Sequence, residues 1–153
     1  MNLLVNIGVY AETLLERNFQ MEGFKRIAVQ REKPCSYQDC WSFKELIAYL
    51  NNNSIKKLAV LGELGGDCVG EFLRSYNDIW FFYGIMPFHF EGTRKRKKAI
   101  QNIQVLKKNA ARYTIVESDD VLKSLDPDDG MLALKRKIVK GFISHVNNLD
   151  STL

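Results

Sequence analysis

Gly62-Glu63-Leu64-Gly65-Gly66-Asp67-Cys68-Val69-Gly70 stands between an apolar run at 57–62 and a segment of helical spacing at 69–76. A buried strand that runs into glycines and then into a helix is the junction from which βαβ units are built. The loop is neither a P-loop nor a dinucleotide fingerprint, because both the glycine spacing and the Lys-Ser/Thr pair are wrong. Without a ligand, glycines here serve simply to make a tight turn. Working outward, apolar runs at 3–9, 26–30, 80–86 and 113–116 predict further strands. Segments 12–21, 43–51 and 93–108 carry helical spacing, and Met131, Leu134, Ile138, Phe142 and Val146 form one stripe of a longer helix. A polar loop occupies 34–39. Strands alternating with helices predict an α/β fold: three layers, doubly wound, with a mostly parallel sheet and helices on both faces. Ligands in such folds lie beyond the carboxyl ends of the strands, so the loops after Val9, Gly62, Met86 and Val116 are the ones that matter.

The 153 residues suit one domain, expected over 1–148 with a short tail at 149–153. Apolar residues make up 46% and charged residues 26%, which argues against disorder. The longest apolar stretch, 79–90, is broken by Gly84, Pro87 and His89, so no run reaches the ~20 residues of a membrane helix. The first residues lack the basic start and cleavage site of a secretory signal. Three cysteines do not make a disulfide framework, and a cytoplasmic location is the expectation. Net charge is +4, yet residues 91–140 hold 13 Lys/Arg against 7 Asp/Glu, so the rest of the chain nets −2. Any electrostatic partner is thereby directed to the C-terminal third.

Pro87-Phe88-His89-Phe90-Glu91-Gly92, followed by Ala99, Ile103 and Leu106, resembles the Pro-Phe-x-Phe-Glu-Gly segment and following helix of the FtsZ/tubulin GTPase domain. The likeness continues through Ser118-Asp119 and Leu122, and it covers most of the chain apart from 31–55. It implies the fold of that family's N-terminal, nucleotide-binding domain. The family's Gly-Gly-Gly-Thr-Gly-Thr-Gly signature falls on Leu64 to Gly70, where Gly65, Gly66 and Gly70 match while Leu64, Asp67, Cys68 and Val69 do not. Leu64 and Val69 add bulk and Asp67 adds negative charge where a phosphate cradle needs close backbone and hydroxyl donors. Asp67 is placed to cap the following helix and so to occupy the N–H groups a phosphate would use. The family's first glycine loop falls on Gly8 to Leu14, one residue short, with Glu12 as a second carboxylate facing the phosphate position. Glu91 matches the ribose-contacting Glu, and Lys95 replaces an Arg. Ser118 replaces the strand-end Asn, and Leu132 stands near the position of the base-reading Asp.

By the same resemblance the chain stops soon after the central helix, without the second domain that supplies the acidic catalytic loop to a neighbouring subunit. The expectation is a divergent, truncated FtsZ-like protein with no catalytic residue, no self-contained GTPase activity and no required cofactor. Its function would lie in contacts with a protein partner, such as an FtsZ/tubulin-type filament protein of cell division or the cytoskeleton. The alternative is a residual GTP- or GDP-binding module built on Gly8, Gly65, Gly66, Gly70, Glu91 and Lys95.

Other groups carry less. Arg94-Lys95-Arg96-Lys97-Lys98 reads as a solvated helix face or as an anion-binding patch assisted by Lys107, Lys108 and Arg112. Its cations do not interleave with aromatic residues, so nucleic acid ranks below a protein partner. Cys35, Cys40, Cys68, His89 and His145 are too scattered for a metal site, and His89 reads as a loop residue. Asp119, Asp120, Asp126, Asp128 and Asp129 read as turn and cap residues rather than as acid/base catalysts.

Overall fold

Six parallel strands form one sheet in the order β3-β2-β1-β4-β5-β6 in a computed structural model that describes residues 1–29 and 40–151. The strands are β1 (Asn2–Ile7), β2 (Phe24–Val29), β3 (Cys40–Trp41), β4 (Lys57–Glu63), β5 (Phe81–Met86) and β6 (Tyr113–Glu117). Helices α1 (Ala11–Leu14), α2 (Phe43–Asn52), α3 (Asp67–Ser75), α4 (Thr93–Asn109), α5 (Ser118–Lys123) and α6 (Met131–Ser151) connect or flank them. The sheet is parallel throughout, and the chain reverses its direction of winding between β1 and β4. That pair is the topological switch point.

Both faces of the sheet are covered, so the strands read as nearly continuous apolar runs rather than alternating ones. Leu3, Val5, Val60 and Phe82 face one core with Leu46 and Leu50 of α2, Phe72 and Leu73 of α3, and Ala99 and Leu106 of α4. Leu4, Ala59, Leu61 and Phe81 face the other, against Leu14 of α1 and Leu134, Ile138, Phe142 and Val146 of α6. Sequence neighbours thus pack on opposite sides of the sheet, as the period of two requires. The register of β1 on β4 sets Ile7 beside Gly62, which brings the loops after both strands to one rim. Helix α6 runs back from that rim, since Lys57 at the start of β4 pairs with Asp150 near the end of α6 at 2.5 Å.

Several expectations shift here. The helix expected over 12–21 is one turn of α1 followed by a 3-10 turn at Arg17–Phe19. The Arg26 guanidinium, reaching up from β2, donates to the carbonyls of Leu14 (2.9 Å) and Glu16 (2.7 Å) and holds the chain where the helix stops. Leu14 and Phe19 are both buried, so the apolar spacing is real but serves two short turns. The first strand ends at Ile7 rather than 9 because Gly8 adopts φ +120°, a backbone state that favours glycine. The second strand begins earlier than expected, at Phe24. Gln30, Cys35 and the loop at 34–39 lie outside the described residues. Helix α5 and the two-residue β3 were not anticipated. Helix α2 opens on Ser42 as its N-cap: Ser42 Oγ accepts from the Glu45 N–H at 3.2 Å and donates to Glu45 Oε1 at 3.1 Å.

Candidate functional site

The rim beyond β1, β4, β5 and β6 is where the fold places a ligand. Tyr10 arrives there just after β1, and Glu63 ends β4. Glu91 and Lys95 come from the segment after β5, and Ser118 follows β6. Together with Gly65, Pro87 and Phe88 these residues line a cavity of about 20 Å³. That is room for a water molecule, whereas small-molecule sites run from ~300 Å³ upward.

The cavity is closed by side chains. Tyr10 is 5% exposed. Burial pushes its phenol well above the usual range, and Glu63 and then Glu91 push it further. Burial likewise raises the Glu63 carboxyl; Lys95 opposes this and Glu91 adds to it. Glu91 Oε2 accepts from the Phe88 N–H at 2.7 Å, and Oε1 accepts from Lys95 Nζ at 2.8 Å. That last bond leads the causes that hold the Lys95 ammonium above its usual range. Ser118 Oγ donates to the Met86 carbonyl at 2.5 Å. The polar groups of the rim therefore face one another.

The glycine loop is equally inward-looking. Leu64 is fully buried. Its N–H donates to the Ile85 carbonyl at 2.9 Å, and its carbonyl accepts from Asn102 Nδ2 at 2.6 Å. A methyl group on Gly65 would fall 3.3 Å from the Lys95 carbonyl oxygen, and one on Gly70 would fall 3.2 Å from Asn102 Oδ1. These glycines permit the loop and α3 to press against α4. Gly66 donates to the Glu63 carbonyl at 3.0 Å and is itself the N-cap of α3. The capping role expected of Asp67 is thus corrected. Asp67 lies one residue inside the helix, and its carboxylate pairs with Lys98 of α4.

Of the candidate nucleotide residues, Gly65, Glu91 and Lys95 converge on the cavity. Gly8 turns the chain after β1 and donates to the Val29 carbonyl at 3.1 Å, while Gly70 faces α4. Glu12 does not face the same point. It lines a separate open hollow of about 460 Å³ with Val9, Thr13, Leu132 and Arg136. The carboxylates that line the small cavity are Glu63 and Glu91. Glu63, Tyr10 and Asn102 were missed from the sequence, although a lone Glu ending an apolar strand and an Asn among the apolar positions of α4 were visible signals. His89 sits in a 3-10 turn, and both its backbone N–H and its ring meet Asp119. The hydrogen bond from the His89 ring is the main cause holding the Asp119 carboxyl below its usual range. Of the basic run, Lys95, Arg96 and Lys98 turn to carboxylates of the chain itself, namely Glu91, Glu117 and Asp67. Among the described residues no helix is long and apolar enough to cross a membrane.

A parallel sheet in the order 3-2-1-4-5-6, with a glycine loop opening a helix at its switch point, defines a doubly wound α/β fold. Comparison with solved structures places the fold more narrowly. An empty FtsZ dimer from M. jannaschii matches 97% of this chain with a TM-score of 0.65 and 14% sequence identity. The fold is therefore FtsZ/tubulin-like; at that identity the likeness speaks for the fold alone. The chain spans 54% of the length of that FtsZ chain. No family model matches the sequence, and no curated protein does.

The cavity of about 20 Å³ is too small to enclose a nucleotide, and two carboxylates, Glu63 and Glu91, line it.

Proposed function

We propose that this chain is a divergent FtsZ-like domain without GTPase activity of its own, acting through contacts with another protein. The small cavity carries the reading: Tyr10, Glu63, Glu91 and Lys95 leave about 20 Å³ among the loops at the switch-point rim, and Lys95 is already bonded to Glu91. The surface around it supports the second half. Val9, Phe90, Leu122, Met131 and Leu132 are large exposed apolar residues, and all lie in the turns, the short helix α5 or the start of α6 that follow the carboxyl ends of the strands. Phe90 is 76% exposed and stacks on Phe88 with ring centroids 4.8 Å apart. An apolar rim around a closed site suits a protein surface better than a phosphate ligand. An FtsZ/tubulin-type filament protein is the partner class that the fold suggests, which would connect the chain to cell division or the cytoskeleton.

Calorimetric titration with GTP and Mg²⁺ tests the first half, and co-sedimentation with an FtsZ-type filament protein from the same cell tests the second. No saturable heat up to millimolar GTP, with the chain pelleting alongside the filament, is the expected pair of results. Micromolar GTP binding would overturn this reading in favour of a residual GTP- or GDP-binding module.

A further inference from the structure

Strand β6 is the long free edge of the sheet. Among the described residues it pairs only with β5, and its residues are half-buried or exposed where every residue of β5 is buried. The opposite edge, β3, has two residues and is too short to act as a template. Natural edges are usually guarded by proline, lysine or a bulge. Tyr113-Thr114-Ile115-Val116-Glu117 has no proline or lysine, and it pairs residue for residue with β5 without a bulge.

The hydrogen-bond register shows which groups are unused. Tyr113 stands opposite Phe82, and the Phe82 N–H donates to the Arg112 carbonyl at 3.0 Å. In a parallel ladder that phase points the N–H and C=O of Tyr113 and Ile115, and the N–H of Glu117, away from β5, while the Glu117 carbonyl opens α5 as its N-cap. Cations and anions divide along the same edge. Arg112 is exposed just before the strand, and Asp120 is exposed just after it. A copy of the strand laid parallel would bring like charges together. A copy laid antiparallel brings Arg112 toward the partner's Asp120 at both ends.

We propose that β6 pairs antiparallel with β6 of a second copy about a two-fold axis through Ile115, continuing the sheet across a homodimer. In that register Ile115 faces the partner's Ile115, and Tyr113 faces the partner's Glu117. The two Ile115 residues exchange both outward groups; the Glu117 N–H donates to the partner's Tyr113 carbonyl, and the Tyr113 N–H takes the second lone pair of the partner's Glu117 carbonyl, the first serving α5. The interface is isologous and closes on itself, so it gives dimers rather than fibres.

Sedimentation equilibrium over a concentration series tests this with three samples. The natural chain is expected to show a monomer–dimer equilibrium. Tyr113→Pro removes an outward donor at the first residue of an edge strand, where proline is tolerated. It is expected to weaken dimerisation by about tenfold or more with an unchanged circular dichroism spectrum. Arg112→Asp and Asp120→Arg should each weaken it as well, since each makes both ends of the interface repulsive. Mixing those two variants should restore dimers, because both ends of the heterodimer are then attractive. A natural chain that stays monomeric across the series, a Tyr113→Pro variant that dimerises undiminished, or a mixture no tighter than either swap alone would each overturn the proposal.

Discussion

Leu64 lies on Gly84 so closely that a Cβ added to Gly84 would fall 2.9 Å from Leu64 Cδ1. The leucine of the glycine loop has become a core residue, and the glycine in β5 leaves the space it occupies. Leu64→Ala should therefore behave as a core truncation, costing about 2–5 kcal/mol. Chemical denaturation would measure this. GTP titration of the same variant should stay silent, because the space released lies in the core with neighbours such as Val60 and not in the rim cavity with Glu63. Asp67→Thr should leave GTP titration silent too, since Asp67 pairs with Lys98.

Glu63 gives a pH prediction. Its carboxyl is raised in the folded chain, so between the ordinary glutamate value and the raised one the folded state holds the extra proton. Stability attributable to this group is then present at low pH and falls as pH rises through that window. Glu63→Gln removes the titration. The variant should melt higher than the natural chain at pH 7, and the gap should shrink toward pH 4. Thermal melts across that range read both effects, and an equal gap at every pH would contradict the assignment.

Gly141 tests helix packing. A glycine inside a helix costs about 1 kcal/mol relative to alanine, so Gly→Ala usually stabilises. Here a Cβ would fall 2.5 Å from the Tyr83 hydroxyl oxygen. Gly141→Ala should instead destabilise, by about 1–3 kcal/mol for an overpacked core. Adding Tyr83→Phe removes the oxygen and should recover most of the loss. A double-mutant cycle by denaturant unfolding measures the coupling.

The parts of this fold that were legible in the sequence are those set by local period. Strands β4 and β5 are apolar runs, and α4 and α6 carry long stripes of apolar residues at helical spacing. The unread parts depend on distant residues. The turn after α1 ends where Arg26 binds its carbonyls, twelve residues away from Leu14. Helix α5 is six residues long and completes too little of a stripe to be seen. At the site, Gly65, Glu91 and Lys95 stand out through a motif, but Tyr10 and Glu63 matter because β1 and β4 are adjacent and end at one rim. That adjacency is a property of strand order. The role expected of Asp67 failed for a related reason: α4 brings Lys98 to it, and the N-cap position falls on Gly66.

Asn102 joins these levels. It is 5% exposed on α4, with Nδ2 on the Leu64 carbonyl at 2.6 Å and its amide against Gly70. One side chain thus bonds the glycine loop at Leu64 and packs beside Gly70 of α3. Asn102→Ala leaves the buried Leu64 carbonyl without its donor, a loss of about 1–3 kcal/mol. Asn102→Asp keeps the shape but sets a carboxylate against that carbonyl, so it should cost more than alanine at pH 7. The aspartate needs a proton to donate to Leu64, so its deficit should shrink as pH falls toward its titration range. Urea unfolding of both variants at pH 7 and pH 5 tests the ordering. Equal losses for Ala and Asp at both pH values would mean that Asn102 fills space rather than donating to the loop.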